Sequence, residues 1–171
     1  SLMETVLGWQ AGTLTAAARG ARADRASGLL DGGAACYQVY RTANGGHLSV
    51  GAVEAKFWAM FCTAIGRPDL TARQGEPMPQ TALIAEVAAI VAAHTLAHWA
   101  EMFREVDCCV EPVLTPAEVP DHPQVAARGQ VVRSGGLVEV LFGLHLDGDP
   151  PAPRTPLREA PVAAILGAWN G

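Results

Sequence analysis

The sequence predicts an α+β fold: a small domain with a hairpin-containing, mainly antiparallel sheet packed against several helices. Three observations carry that prediction. Runs of β-branched and aromatic residues flank a turn containing Asn44-Gly45, a strong short-range hairpin signal, and a second pair of runs flanks Ser134-Gly135-Gly136. Between the two hairpins, apolar residues recur at helical rather than alternating spacing. At 171 residues, half of them apolar and 17% charged, the chain has the length of one domain and too much core material for a disordered polypeptide.

The elements follow in order. Thr5 to Ala23 carries an alanine-rich helical pattern, weakened at Gly8, Gly12 and Gly20 by about 1 kcal/mol each relative to Ala. A small-residue loop, 27–35, leads into the strand Cys36 to Arg41, then Thr42 to Gly46 and the strand His47 to Val50. From Glu54 the period becomes 3.6: Phe57, Trp58, Phe61, Cys62 and Ile65 form one helix face, stopped by Gly66 and Pro68. A polar, Pro-containing connection, Leu70 to Pro79, precedes helices over Gln80 to Ala93 and Thr95 to Arg104, the second capped by the Thr95 hydroxyl. Cys108 to Leu114 is a short buried strand broken by Pro112. Thr115-Pro116-Ala117-Glu118 has the cap, first-turn proline and N3 glutamate of a helix start. Gln130 to Arg133 and Leu137 to Leu146 form the second hairpin. Five of the twelve prolines then fall between Pro150 and Pro161, which predicts an extended tail. The organisation expected is a connecting helix over 1–26, a domain over 27–147 and a Pro-rich tail over 148–171.

Composition narrows the function classes. Thirty-one alanines against ten Phe, Trp and Tyr make the core sufficient but not generous. A net charge of −5 lacks the basic footprint of a nucleic-acid or anionic-membrane partner. The longest strongly apolar stretch, 82–100, is interrupted by Glu86, His94, Thr95 and His98, short of the ~20 apolar residues of a membrane span. The N-terminus carries no secretion signal, and Ser1-Leu2 read as residues left by cloning, so the expected address is cytoplasmic. Cys36, Cys62, Cys108 and Cys109 match neither a zinc pattern nor a redox pair and are expected to be reduced packing residues.

Candidate site residues are few. Phosphate-loop, nucleophile-elbow, zinc-protease and dinucleotide signatures do not occur in the sequence. His94 and His98 have ligand-compatible spacing but no third partner nearby in sequence, which leaves a metal site or a solvated helix surface. Glu54 stands at a strand-to-helix junction, where it either faces a ligand or complements the helix dipole. Gly32-Gly33 permit positive φ and belong to either a mobile lid or a tight turn. Asp107 is a turn cap or a ligand contact.

Four motifs in order resemble the class III CoA-transferase family, also called the CaiB/BaiF family. They are Gly28-Leu29-Leu30-Asp31-Gly32-Gly33-Ala34; Tyr40-Arg41-Thr42-Ala43-Asn44-Gly45; Ser49-Val50-Gly51-Ala52-Val53-Glu54-Ala55-Lys56-Phe57-Trp58; and Val106-Asp107-Cys108-Cys109-Val110-Glu111-Pro112-Val113-Leu114-Thr115, followed by His122-Pro123 and Ala127-Arg128-Gly129. The resemblance is to the family's smaller, C-terminal domain and is closest to the branch containing α-methylacyl-CoA racemases.

The resemblance implies a parent enzyme in which a large α/β domain, missing here, holds most of the CoA and two interlocked chains form a homodimer. The substrate is an acyl-CoA thioester, with no covalently bound cofactor and no metal. In transferases of the family a large-domain aspartate attacks the acyl-CoA to give a mixed anhydride; in the racemases a histidine and an aspartate outside this segment exchange the α-proton. The function implied is transfer of CoA between carboxylic acids, the alternatives being racemase-like α-proton exchange and a non-catalytic dimerisation remnant. Glu54 matches the small-domain glutamate that partners the racemase histidine, an orienting and electrostatic role. Gly32 and Gly33 match a glycine loop covering the site, and with Asp107 they are the expected substrate- or CoA-side contacts.

Overall fold

The computed structural model describes residues 1–21, 24–134, 137–141, 143, 148, 153 and 161–169. The chain divides into two units, Ser1–Val113 and Leu114–Gly171. Both are mixed helix and antiparallel sheet, as the α+β prediction requires.

In the first unit, helices α1 (Leu2–Trp9) and α2 (Ala11–Ala18) replace the single helix expected over Thr5 to Ala23. Ser1 starts α1 early because its side chain and that of Glu4 form a reciprocal capping box. The break falls at Gln10, whose ψ of 3° leaves the helical range. Arg22 and Ala23, the expected end, lie outside the described residues. Neither helix buries a residue, and Leu2, Met3, Val6, Leu7 and Trp9 are exposed.

The sheet is three-stranded, ordered β1 (Tyr37–Arg41), β2 (His47–Gly51), β3 (Val110–Pro112), and antiparallel throughout. The Asn44-Gly45 hairpin forms with a five-residue loop, Arg41 pairing with His47. Thr42 N–H donates to Gly46 C=O at 2.9 Å, and the Asn44 side chain accepts from Leu96 N–H at 3.1 Å, fastening the loop to the start of α5 (Leu96–Phe103). β3 is shorter than the strand expected over Cys108 to Leu114. It pairs on one edge only, and Pro112, lacking an N–H, occupies its last position.

Helix α3 (Ala55–Ala64) buries Trp58, Phe61 and Cys62, the centre of the face its period predicted, with Phe57 and Ile65 partly buried beside them. A 3₁₀ helix that the sequence did not suggest, Pro68–Arg73, overlaps the start of the expected polar connection. Helix α4 (Thr81–Val91) buries Leu83, Val87 and Val91. α5 starts where predicted, Thr95 Oγ1 accepting from His98 N–H at 3.3 Å. Four of the few aromatic residues form a ladder: Trp58 stacks on Phe61 at 5.4 Å, Phe61 on Phe103 at 5.8 Å and Phe103 on Trp99 at 5.9 Å. Both buried indoles are satisfied, Trp58 by Leu70 C=O at 3.1 Å and Trp99 by Val91 C=O at 2.9 Å. The ladder joins α3 to α5 with large apolar area that alanine cannot supply.

In the second unit, only the glutamate half of the cap predicted at Thr115 forms: the Glu118 carboxylate accepts from both Thr115 N–H and Oγ1–H at 2.7 Å, so the hydroxyl donates to the carboxylate instead of accepting from a helix N–H. The helix predicted to follow it does not continue. A 3₁₀ turn, Val119–Asp121, gives way to α6 (Pro123–Arg128), because Pro120 and Pro123 supply no backbone N–H for a continuous ladder. β4 (Val131–Ser134) pairs antiparallel with β5 (Leu137–Val140) in the predicted hairpin. β5 ends at Val140: Leu141 and Gly143, within the expected continuation to Leu146, are not strand, and the other residues of that continuation and most of the Pro-rich stretch lie outside the described residues. Val162–Trp169 is helical (α7), an element not anticipated within the tail.

Candidate functional site

The strand register gathers the predicted site residues at one end of the three-stranded sheet. Tyr37 opens β1 opposite Gly51, which closes β2, and Val50 faces Val110 at the start of β3. The turn bearing Gly32 and Gly33 therefore enters the sheet where the segment bearing Glu54 leaves it and the segment bearing Asp107 enters. Gly51 N–H donates to Cys109 C=O at 2.8 Å, tying the second and third of these segments directly.

Gly32 and Gly33 sit in a closed turn. Asp31 accepts from Gly28 N–H at 2.6 Å, and Gly33 N–H donates to Gly28 C=O at 2.8 Å. Gly32 has φ of +112°, a conformation that L side chains rarely adopt. Gly33 is buried, and a Cβ there would meet the Ser27 carbonyl carbon at 2.4 Å. Leu30, Asp31 and Gly32 line one side of a depression of about 380 Å³, with Tyr37, Ser49 and Gly51 across from them.

Glu54 is exposed and occupies the N-cap of α3 rather than its first turn, with φ −72° and ψ 139°. Its carboxylate makes no capping hydrogen bond, so it stands at the helix entry free to face outward, while its carbonyl accepts from Phe57 N–H and Trp58 N–H. Asp107 is also exposed, lining a second depression of about 340 Å³ with Arg104, Cys109 and Glu111. Glu54 lines neither depression.

Two residues that the sequence did not single out hold this end of the sheet together. Gln80, only 4% exposed, donates from its N–H to Gly33 C=O at 2.8 Å and accepts from Ala35 N–H at 3.0 Å through Oε1. Its Nε2 donates to Gln74 C=O at 2.8 Å and Glu76 C=O at 3.0 Å. The Gln74 side chain in turn donates to Val53 C=O at 2.8 Å and Ala52 C=O at 3.4 Å, one and two residues before Glu54. Neither glutamine carries a periodic or motif signal; burial marks out Gln80, and its hydrogen bonds mark out Gln74.

Burial pushes the Cys62 and Cys108 thiols up to about 11, which suppresses the thiolate at neutral pH. All four cysteines are free, three of them buried as expected, with Cys109 exposed. The His94 and His98 rings stack on each other at 4.1 Å and pack edge-on against Trp99. Among the described residues no group of three or more His, Cys, Asp or Glu is placed to hold a metal. No single described helix is long and apolar enough to cross a membrane.

The profile of CoA-transferase family III matches residues 1–156. The chain is 35% identical to human alpha-methylacyl-CoA racemase over 113 residues, covering 66% of this chain and 30% of that protein. It is 32% identical to the mouse alpha-methylacyl-CoA racemase over 118 residues, covering 65% and 29%. The chain thus spans about a third of the length of these curated relatives. Among solved structures it resembles Rv3272 from Mycobacterium tuberculosis, with a TM-score of 0.61 and 22% identity over 86% of this chain and 42% of that one. At that identity the likeness is one of fold.

Proposed function

The chain belongs to CoA-transferase family III, and from that premise we propose that it is the small-domain part of a larger enzyme that exchanges the α-proton of an acyl-CoA thioester. The observation that carries the proposal is the 35% identity to a protein named alpha-methylacyl-CoA racemase. The coverage of 30% of that relative supports a partner domain elsewhere in the parent chain, which would carry the acid and base.

In this reading Glu54 is a positioning residue. An exposed carboxylate at a helix entry, without a cap bond of its own, is available to accept from the imidazole N–H of a catalytic histidine and hold its tautomer. Gly32 offers backbone beside the depression it lines, and Asp107 a charge beside the neighbouring one, as substrate- or CoA-side contacts.

The family description favours a second reading, CoA transfer between carboxylic acids. The exposed apolar residues of α1 favour a third, a dimerising remnant without activity. Incubating the full-length gene product with a chiral 2-methylacyl-CoA in deuterated water separates them. The expected result is α-deuterium uptake with loss of chirality and no need for a carboxylate acceptor. Turnover only when an acceptor acid is added would replace racemisation with transfer, and a tight dimer with no acyl-CoA affinity would leave the remnant.

A further inference from the structure

We infer that Gln74 and Gln80 are positioning residues that couple the Gly28–Gly33 turn to Glu54, an inference that rests on the role just given to Glu54. The coupling is a continuous chain of hydrogen bonds. Gln80 holds Gly33 C=O through its backbone N–H and Ala35 N–H through Oε1 on one side, and its Nε2 holds the carbonyls of Gln74 and Glu76 on the other. Gln74 then holds the carbonyls of Ala52 and Val53, the last two residues before Glu54.

The segment between them is well anchored. Arg67 and Arg73, at the two ends of the 3₁₀ helix, both reach the Glu86 carboxylate on α4 at 2.6 Å, and Leu70 C=O accepts the Trp58 indole. Gln74 therefore projects from a fixed support, so its amide sets the height of the β2–α3 junction. The Gln80 amide is nearly sealed from water and all its bonds are to backbone, so its loss leaves several buried backbone groups unpaired. Displacing the glycine turn must move Gln80, and through Gln74 the backbone that aims Glu54. No bond runs directly from turn to glutamate in the described structure; the two glutamines bridge them, beside a second route in which Gln38 Nε2 donates to Gly32 C=O at 2.7 Å and β1 pairs with the end of β2.

The test uses the full-length gene product carrying Gln74→Met, Gln80→Met, Glu54→Gln or the pair Gln74→Met/Glu54→Gln. Met retains the side-chain length and removes the amide. In whichever assay the enzyme turns over, Gln74→Met is expected to lower kcat about tenfold with KM for the acyl-CoA within about twofold, since a misaimed orienting group costs rate rather than binding. Added to Glu54→Gln, it is expected to cost less than about twofold more, because both act through one carboxylate. Equal losses in the two backgrounds overturn the positioning role.

Amide hydrogen exchange gives a readout that needs no turnover. Gln80→Met is expected to speed exchange in residues 52–58 as well as 28–36. Acceleration confined to 28–36 overturns the coupling. Should Gln80→Met fail to fold, Gln80→Glu, which retains the acceptor for Ala35 and loses both donor bonds, is expected to give the same exchange pattern. A Glu54→Gln enzyme with the parent kcat overturns the role of Glu54 itself, a failure distinct from an unchanged exchange rate at 52–58.

Discussion

Adding one methyl group at Gly33 tests the geometry on which the glycine turn depends. The new Cβ would lie 2.4 Å from the Ser27 carbonyl carbon, 2.5 Å from its oxygen and 2.7 Å from Gly28 C=O. All three are backbone atoms, so no flexible side chain can move aside. The turn must open, and opening it strains or breaks the bonds from Gly33 N–H to Gly28 and from Gln80 N–H to Gly33. Overpacking of this kind costs about 1–3 kcal/mol. Each hydrogen bond adds about 1 kcal/mol, so Gly33→Ala is expected to destabilise the first unit by about 3–5 kcal/mol. For a chain of this length that corresponds to a fall in Tm of roughly 10 °C. The control is Gly75→Ala, whose Cβ would meet nothing within 4 Å and whose effect is expected within about 0.5 kcal/mol of zero. Urea denaturation followed by far-UV circular dichroism measures both. A Gly33→Ala protein within about 0.5 kcal/mol of the parent would refute the close approach.

Two further predictions concern local chemistry. Hydrogen bonds from Arg67 and Arg73 hold the Glu86 carboxyl below the usual glutamate range. A depressed carboxylate contributes stability above its unfolded pKa and loses it as pH falls through the lower folded value. Glu86→Gln is therefore expected to flatten the acid limb of the stability–pH curve below about pH 4.5, measured by urea midpoints across pH; an unchanged limb would contradict the pairing. At the start of α5, Thr95→Ala removes the hydroxyl that accepts from His98 N–H and is expected to cost about 1 kcal/mol, whereas Thr95→Ser is expected to cost only a few tenths. Equal losses for the two variants in denaturant titrations would show that the hydroxyl is not the cap.

Local signals were legible where the physics is local. The Asn44-Gly45 turn, the Phe57-Trp58-Phe61-Cys62 face and the Thr95 cap each involve residues within a few positions of one another, and each formed as predicted. The expected first helix divided at Gln10; neither half has a buried residue among the described residues, so burial does not offset its glycines. At Thr115 the glutamate half of the cap was legible but its helix was not realised, since two prolines downstream interrupt the ladder. Glu54 was identified at its junction but placed one position too deep: it is the N-cap of α3, and its side chain makes no cap bond.

By itself, then, the amino-acid sequence determined the α+β class, the hairpins, the helix faces and the family, all of which are written in short-range pattern and ordered motifs. The tertiary structure alone decided that Gly32–Gly33, Glu54 and Asp107 gather at one end of one sheet, because strand register is set by pairing partners distant in sequence. It alone decided the importance of Gln80. That residue bonds Ala35 across 45 positions, and an amide of ordinary appearance becomes a hub only when folding removes the water that would otherwise satisfy the groups it holds.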